Sequence, residues 1–512
     1  MANSKGSIMI ISHGNIHFTL SLLMFLICCS LAKTGFAYVN QLAPFNRSSF
    51  SHDFMFGAAS SAYQFEGAAF EGGKGPSIWD TFTHKFLEKI ADRSNGDVAN
   101  NFYNLYKEDV KLIKNLGLDT FRFSISWPRV LPRGKLSGGV NKEGIAFYNN
   151  VINELLANEY IFHWDLPQAL EDEYTGFLSP LIVDDFRDFS ELCFKEFGDR
   201  VKHWITLNEP FTYTNGGYDG SFIGNLAPGR CSSCTHGNSA TEPYIVAHHL
   251  LLSHAAAVKL YKDKYQATQK GIIGITLVTH WFVPFSKSRL DAKAAQRALD
   301  FLFGWFLDPV VFGRYPRIME TIVGDRLPEF TKEQSEMLKG SYDFIGVNYY
   351  TGNYAAHILS RSGNVTSSSD NMARLTTDIN GVPIGNPTGV PIFFSYPKGL
   401  HDLLVYTKKK YNNPLIYITE TGIGDLDNQT LKNSINDPQR VDFYNTHLHA
   451  VAKAIEEGVN VKGFIAWSFL DNFEWGSGYT LRFGLCYVDY KNGLKRIPKK
   501  SALWFRNGLL KK

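Results

Sequence analysis

The chain has 512 residues, of which 44% are hydrophobic and 14% aromatic. This composition allows a large buried core, so it excludes a disordered protein. The formal net charge is +3, and it falls to +1 without the first 37 residues, which contain two lysines and no acidic residue. So small a charge excludes nucleic acid as the expected partner.

The N-terminal segment 18–32 is apolar apart from three hydroxyl residues and two cysteines, and Lys-Thr-Gly-Phe-Ala follows at 33–37, with small residues at the positions that a signal peptidase reads. This pattern predicts a secretory signal peptide over 1–37 and a single mature domain over 38–512. A membrane anchor is the alternative, although the apolar run is shorter than the roughly 20 residues of a spanning helix. Since no second such stretch occurs, we expect no membrane partner after cleavage.

Two features of the mature chain fit a secreted protein. Three Asn-x-Ser/Thr motifs, at Asn46, Asn364 and Asn428, are candidate glycosylation sites. Cys231 and Cys234 flank two serines, and in an oxidising compartment this pair favours a disulfide over a metal site, since no second pair completes four ligands. Whether the bond forms stays open, because the turn must bring the two Cα atoms within about 7 Å.

Short segments rich in β-branched and apolar residues alternate with longer amphipathic segments. The predicted strands are 54–59, 120–125, 160–163, 203–207, 272–277, 344–348, 415–419 and 463–467. The predicted helices between them include 101–116, 144–157, 183–197, 244–265 and 437–457. Eight strands that alternate with helices predict one α/β domain, a (β/α)₈ TIM barrel with long loops.

One alternative is a doubly wound open sheet. Such a sheet usually has a Gly-rich phosphate loop after its first strand, and Gly72-Gly73-Lys74-Gly75 has neither the spacing nor the following helix pattern. The polar stretch 360–380 is interpreted as a surface loop, so that no linker divides the chain.

Two predicted strands lead to a glutamate. Segment 205–210 has the sequence Ile-Thr-Leu-Asn-Glu-Pro and places Glu209 at a strand end, and segment 416–422, Ile-Tyr-Ile-Thr-Glu-Thr-Gly, does the same for Glu420. Hydrolysis of a glycosidic bond needs two carboxyl groups in one pocket, because one donates a proton while the other stabilises or attacks the sugar cation. The pair therefore predicts a glycosidase, and a salt-bridged barrel residue is the alternative for each glutamate.

Five further motifs accompany the two glutamate segments. They are Ser-Ser-Ala-Tyr-Gln-Phe-Glu-Gly at 60–67, Phe-Arg-Phe-Ser-Ile-Ser-Trp at 121–127, Phe-His-Trp-Asp-Leu-Pro at 162–167, Asn-Tyr-Tyr-Thr at 348–351 and Trp-Ser-Phe-Leu-Asp-Asn-Phe-Glu-Trp at 467–475. In this order, and over essentially the whole mature length, the chain resembles the plant family 1 glycoside hydrolases, the β-glucosidases. The resemblance implies a small-molecule β-glucoside as substrate and no metal or organic cofactor.

The resemblance also assigns roles to the two carboxyl groups. It implies a retaining mechanism with Glu209 as acid/base and Glu420 as nucleophile, their carboxyl groups being about 5 Å apart. Arg122 would give Glu420 a positive neighbour and Tyr350 a hydrogen bond, so that Glu420 stays ionised. Glu209 would keep its proton because Glu420 is negative and the pocket partly apolar.

A sugar pocket needs polar side chains for the hydroxyls and flat apolar faces for the ring. The positions that match the family's sugar-binding residues are Gln64, His163, Asn208, Tyr350, Trp467, Glu474 and Trp475. Taken singly, each tryptophan is more often a core residue, and a histidine is often a satisfied buried one. On the aglycone side, Trp281 and segment 391–394 are expected to line the pocket, and the family's usual tryptophan is replaced by Ile392.

The largest departure from the family pattern falls before His163. Family members place a turn and a full strand there, whereas this chain has only the six residues 157–162. A helix-to-strand connection takes about 2 to 6 residues and a strand about 5 to 6, so six residues cannot supply both. We therefore expect either a truncated third strand or a preceding helix that unwinds near residue 157.

These observations predict a retaining β-glucosidase that cleaves β-D-glucosides with a hydrophobic aglycone. Two alternatives stay open: a transglucosidase, in which an alcohol replaces water, and a catalytically impaired sugar-binding relative, which the deletion before His163 makes plausible. The expected location is the secretory pathway, ending in the apoplast or the vacuole. The sequence leaves open whether the protein forms a homo-oligomer.

Overall fold

The computed structural model describes residues 46–155, 158–221, 224–360 and 363–510. The predicted signal peptide, 1–37, lies outside the described residues. Within them, no helix is both long enough and apolar enough to cross a membrane.

Eight parallel strands form a barrel in which every strand pairs with both of its neighbours. They are β1 Met55–Ala59, β2 Thr120–Ser124, β3 Asn158–Phe162, β4 His203–Asn208, β5 Ile272–Pro284, β6 Phe344–His357, β7 Ile416–Thr421 and β8 Val461–Ala466. This arrangement confirms the predicted barrel. Because all the strands are parallel, their carboxyl ends lie at one face, where the loops build the site.

A long helix follows each of the first seven strands, and a short one follows the eighth. They are α1 Phe102–Leu116, α2 Lys142–Leu155, α3 Ile182–Phe197, α4 Glu242–Leu260, α5 Arg289–Leu299, α6 Pro397–Lys410, α7 Pro438–Glu456 and α8 Lys500–Trp504. In α1, Val110, Ile113 and Leu116 are buried at helical spacing, and Gly117 ends the helix with φ of 73°. Glycine adopts this left-handed conformation without a Cβ clash.

The segments between the barrel strands and the long helices contain short helices and antiparallel strand pairs. The short helices are Ala62–Phe65, Ile78–Lys85, Trp127–Val130, Gln168–Tyr174, Pro210–Tyr218, Gln266–Gln269, Trp305–Phe312, Arg317–Val323, Lys332–Leu338 and Leu431–Ile435. The antiparallel strand pairs are Asp378–Ile379 with Val382–Pro383, Asn386–Pro387 with Phe394–Ser395, Asp425–Leu426 with Leu481–Arg482 and Cys486–Asp489 with Lys495–Pro498.

Strand β3 has its full length despite the short segment that precedes it. Its five residues equal β1 and β2 in number, and it pairs with β2 from Arg122 to Ser124 and with β4 from Trp204 to Leu207. Helix α2 ends at Leu155, before the predicted end at residue 157. Of the two expectations, truncation of the strand is therefore wrong, whereas the expected unwinding near residue 157 lies outside the described residues. An incomplete strand would leave backbone groups of β2 and β4 unpaired in the barrel wall.

Two strands run farther than the sequence predicts. β5 and β6 continue beyond 277 and 348 and pair with each other up to Pro284 and Ala355. The stretch 360–380, interpreted as a surface loop, contains the strand Ala373–Thr376, which adds antiparallel to β6. The free edge of β6 supplies backbone partners there, and nothing local in this polar sequence indicates them.

The structure bears on two further predictions, the Cys231–Cys234 disulfide and the three candidate glycosylation sites. Cys231 and Cys234 form a disulfide, with their Cα atoms 4.9 Å apart. This separation lies well inside the range that a disulfide can span. Asn46, Asn364 and Asn428 are all exposed, as glycosylation requires.

Candidate active site

Glu209 stands directly after β4, at the start of helix Pro210–Tyr218. Its backbone has a positive φ of 43°, a conformation that costs a side-chain-bearing residue about 1–3 kcal/mol. The backbone N–H of Glu209 donates to the Thr276 carbonyl at 3.0 Å. Its carboxylate accepts hydrogen bonds from Asn348 Nδ2 and from Thr212 Oγ1, each at 2.7 Å. The surroundings therefore fix both the backbone and the carboxyl group.

Glu420 lies on β7 and has a different environment. Its Oε1 accepts a hydrogen bond from the Arg122 guanidinium on β2, with which it forms a buried ion pair. Its Oε2 accepts from the Tyr350 hydroxyl at 2.8 Å. Arg122 thus supplies a cation, and Tyr350 a hydrogen-bond donor, to the same carboxyl group. Arg122 and Tyr350 thus hold the positions that the sequence predicts for them.

Two asparagines connect the glutamates. Asn208 Oδ1 accepts from Arg122 Nη2 at 2.5 Å and from Asn348 Nδ2 at 3.2 Å. Asn348 also receives a hydrogen bond from Thr419 Oγ1 at 2.7 Å. These contacts tie β2, β4, β6 and β7 together across the barrel. The sequence prediction missed Asn348 as a site residue, although it begins the Asn-Tyr-Tyr-Thr motif.

The electrostatics separate the two carboxyl groups. Burial raises the pKa of Glu209 to about 7, the negative charge of Glu420 adds to this rise, and Asn348 and Thr212 oppose it in part. Burial and the Glu420 charge also raise the pKa of the Tyr350 hydroxyl well above its usual range, so this group remains a donor. One carboxyl group is thus poised as an acid near neutral pH beside a carboxylate that is paired with a cation.

Both carboxyl groups line one cavity of about 460 Å³. The other predicted sugar-binding residues that line it are His163, Asn208, Tyr350, Trp467, Glu474 and Trp475. Strand β3 therefore delivers His163 to the site in spite of the short segment before it. Asn208 Nδ2 donates to His163 Nε2 at 3.2 Å, and burial holds the pKa of His163 well below its usual range.

Glu474 and the aromatic side chains form one wall of the cavity. The His163 ring lies 6.0 Å from the Trp467 ring and 5.6 Å from the Trp475 ring, in stacked orientation. Burial raises the pKa of Glu474 to about 8, and the Trp467 indole opposes this in part. Among the described residues, Oε2 of Glu474 has no hydrogen-bond partner. A buried acceptor of this kind is suited to a ligand hydroxyl.

Gln64 does not line the cavity. Its Nε2 donates to Asn472 Oδ1 and to the Phe473 carbonyl, each at 2.9 Å, and its Oε1 accepts from Ser61 Oγ at 2.6 Å. The amide therefore supports the segment that carries Glu474 and Trp475. Its role in sugar binding stays a prediction.

The cavity also has many apolar lining residues. Its apolar lining consists of Phe211, Leu226, Val278, Leu302, Val390, Ile392, Phe393, Leu481 and Phe483. Trp281 is not part of this lining and packs instead against Tyr406, with ring centroids 6.1 Å apart. Ile392 is half exposed at the rim. In the described part of the chain, no group of three or more His, Cys, Asp or Glu residues could hold a metal ion.

The raised pKa of Glu209 has a consequence for stability. Between pH 4.5 and about 7 the folded protein keeps a proton on Glu209 that the unfolded chain has lost. The free energy of unfolding therefore falls across this range, by about 3 kcal/mol from this group. We expect Glu209→Gln to be more stable than the parent protein at pH 8, with little gain at pH 4. Denaturant unfolding at both pH values tests this, and a pH-independent difference would contradict it.

Comparisons with known proteins agree with this geometry. The family model described as "Glycosyl hydrolase family 1" matches residues 46–511. Beta-glucosidase 12 of Oryza sativa subsp. indica is 56% identical over 503 residues, which are 96% of this chain and 98% of the relative. Furcatin hydrolase of Viburnum furcatum is 58% identical over 464 residues, which are 90% of this chain and 86% of the relative. The crystal structure of the rice Os3BGlu6 β-glucosidase has a TM-score of 0.89 at 47% identity, covering 91% of this chain and 100% of that one.

Proposed function

The chain belongs to glycosyl hydrolase family 1 and is a glycosidase of the β-glucosidase class, and we propose that Glu209 and Glu420 perform its retaining reaction as acid/base and nucleophile. The observation that carries this assignment is the contrast between the two carboxyl groups in one cavity. Glu420 is paired with the Arg122 cation, whereas burial and the Glu420 charge favour the protonated form of Glu209. Retaining hydrolysis requires this division of protonation states.

In the first step, a carboxylate oxygen of Glu420 attacks the anomeric carbon. Glu209 gives its proton to the glycosidic oxygen, the bond to the aglycone breaks, and the aglycone leaves as an alcohol. Glucose is then held as an ester on Glu420, whose negative charge is gone. One of the two causes of the raised Glu209 pKa disappears with that charge, so Glu209 becomes a base.

In the second step, Glu209 takes a proton from water as the water oxygen attacks the anomeric carbon. The ester bond breaks, Glu420 leaves as a carboxylate, and glucose departs with its original configuration. Both groups have then returned to their starting protonation states. In a transglucosidase an alcohol would replace this water, and no contact among the described site residues favours that alternative.

The residues proposed to hold the glucose ring are six that line the cavity: His163, Asn208, Tyr350, Trp467, Glu474 and Trp475. Asn208, next to Glu209, is proposed to contact the 2-hydroxyl, an interaction that strengthens in the transition state. Both N–H groups of Gln64 donate to Asn472 and Phe473, whereas its Oε1 accepts one bond from Ser61 and has a second lone pair for a sugar hydroxyl. The alternative of a catalytically impaired relative is not favoured, because β3 is complete and His163 lies in the cavity.

The apolar lining residues of the cavity support the proposal that the aglycone is hydrophobic. Purified protein is expected to hydrolyse hexyl β-glucoside with a kcat/KM at least about tenfold above that for methyl β-glucoside, since each buried methylene contributes about 0.8 kcal/mol. The two leaving alcohols have similar acidity, so the comparison isolates binding. Equal values for the two substrates would contradict a hydrophobic aglycone site, and release of glucose from neither would contradict the function itself.

We also propose that the protein passes through the secretory pathway, to the apoplast or the vacuole. The N-terminal apolar segment and the three exposed acceptor asparagines support this location. Protein made in a secreting plant cell should begin at residue 38 and lose mass on treatment with a glycosidase specific for asparagine-linked glycans. An N-terminus at Met1 would refute the proposed signal peptide.

A further inference from the structure

A second, much smaller cavity borders the active site. Its volume is about 10 Å³, which is close to the space that one water molecule needs. The turn after β3 separates the two cavities: His163 and Trp164 line the large one, whereas Asp165 lines the small one. A molecule bound in the small cavity would therefore contact the same turn that carries His163 and Trp164 into the large cavity.

The lining of this cavity contains several polar atoms whose hydrogen bonding is incomplete. Within the described part of the chain, Oδ1 of Asp80 and Nη1 of Arg129 have no hydrogen-bond partner, and both carboxyl oxygens of Asp165 and Oγ of Ser126 have none in good geometry. The Ser126 hydroxyl is nevertheless close enough to Asp165 to oppose the rise in the pKa of its carboxyl group. All four side chains are at least 97% buried. Leaving so many buried polar atoms unpaired would cost about 1–3 kcal/mol for each.

The same cavity joins the loops that follow three consecutive strands. Glu66 follows β1, Ser126 and Arg129 follow β2, and Asp165 follows β3. Arg129 donates to Glu66 Oε2 at 2.7 Å and to the Gly67 carbonyl at 3.0 Å, which links the first two loops. Asp165 is the only member from the third loop among the residues that line this cavity. A partner shared with Asp165 would therefore link the third loop to the other two.

The turn that carries Asp165 contains a residue in a strained backbone conformation, which contacts with neighbouring loops must hold. Trp164 has a positive φ of 71°, which for a residue with a large side chain costs about 1–3 kcal/mol and persists only where the surroundings enforce it. Backbone contacts hold the turn beyond Asp165: the Leu166 carbonyl accepts from the Ile78 N–H at 2.8 Å, and the Gln168 N–H donates to the Pro76 carbonyl at 2.9 Å. Before Asp165, the Trp164 indole donates to the Asn208 carbonyl at 2.8 Å. A contact of the Asp165 carboxyl group would hold the turn at the residue between them.

We propose that Asp165 is a positioning residue that, through one internal water molecule shared with Asp80, Ser126 and Arg129, holds His163 and Trp164 against the sugar. A water molecule can make up to four hydrogen bonds, and this lining offers a matching set of donors and acceptors. The proposal rests on the proposed function only in its kinetic readout, because the water site itself is a property of the fold.

The charges around Asp165 determine its protonation state. The charged groups that face it are Glu66, Asp80, Lys74 and Arg129, and each cation already pairs with one of these acids, Arg129 with Glu66 and Lys74 with Asp80. An ionised Asp165 would be a buried charge without compensation. Burial raises the pKa of Asp165 well above its usual range, and the Ser126 hydroxyl opposes this only in part. The neutral carboxyl group donates one hydrogen bond and accepts others, as an asparagine amide would.

Two variants of Asp165 test the proposal. Asp165→Asn keeps the polar contacts and is expected to retain kcat/KM for nitrophenyl β-glucoside within about threefold of the parent value. Asp165→Leu has the same number and branching of side-chain heavy atoms but cannot bind the water, and we expect a raised KM and a kcat/KM lower on the order of a hundredfold. Active sites are counted with a slow 2-fluoroglucosyl substrate, so that a misfolded fraction does not enter the comparison. Ser253→Ala, which removes a buried unpartnered hydroxyl from α4, is the matched control and should leave KM unchanged.

Crystal structures of the parent protein and the two variants supply the second readout. The water should be present in the parent and in Asp165→Asn, and absent from Asp165→Leu. The proposal is overturned if the parent cavity is dry, if Asp165→Leu has the parent KM and kcat per active site, or if Asp165→Asn loses as much activity as Asp165→Leu. A parent protein that hydrolyses no β-glucoside would instead refute the proposed function. The affinity for a glucose-shaped iminosugar, measured by calorimetry, then replaces KM as the test of positioning.

Discussion

Replacement of Glu420 by glycine should abolish the hydrolysis of β-glucosides, with kcat falling on the order of 10⁵-fold or more. The covalent step has no substitute in this site, because Glu420 is the carboxylate that is paired with Arg122 and bound by Tyr350. Arg122 would then lack its buried counter-ion, so the variant is checked for folding by circular dichroism and for binding of glucose. Steady-state release of nitrophenol measures the loss.

Added azide distinguishes a lost nucleophile from a damaged site. The space left by the side chain in Glu420→Gly admits the anion, which attacks the anomeric carbon from the same face, while Glu209 still protonates the leaving group. The product is then α-glucosyl azide, identified by NMR. Glu420→Gln is the matched control, since its side chain fills the space and should give no rescue. Formation of the β-azide, or activity near that of the parent protein, would contradict the assignment of Glu420.

Replacement of Glu209 by alanine should slow the first step by about 10²- to 10⁴-fold for substrates whose aglycone needs a proton to leave. A dinitrophenyl glucoside needs no such proton, so its first step should change little and the glucosyl ester should accumulate. Azide then attacks that ester without the help of a base and yields β-glucosyl azide. The rate of the first step is measured for a series of glucosides whose leaving groups differ in acidity. An equal loss of rate for all of them would show that Glu209 is not the acid.

The pH profile gives an independent check on Glu209. In the parent protein kcat/KM should fall above pH about 7, because Glu209 loses its proton there. This limb should vanish in Glu209→Ala. Glu474 is the matched control, because its pKa is raised to about 8 in the same cavity. Glu474→Gln is expected to weaken sugar binding and to keep the limb near 7, and loss of the limb in that variant would move the acid role away from Glu209.

Local patterns in the sequence were sufficient to predict the barrel and the two glutamates. Alternating strand and helix periods repeat along the chain, and they appear in the structure as β1 to β8 and the helices between them. Each glutamate closes a β-rich segment, so its place at the carboxyl face follows from the strand alone. The sequence identified Cys231 and Cys234 as a candidate disulfide pair. Whether the bond forms depends on the conformation of the turn between them, which the sequence did not reveal.

Contacts between distant segments determined the rest. The amide of Gln64 pairs with residues more than 400 positions away, and Asn348 bridges Asn208, Glu209 and Thr419. The pKa of Glu209 depends on burial and on a charge from another strand. Strand β3 kept its length because β2 and β4 offer backbone partners that a helix end cannot replace. Sequence periodicity reports which way a side chain points within its own element, whereas hydrogen-bond partners, burial and charge depend on which elements meet, and only the tertiary structure decides that.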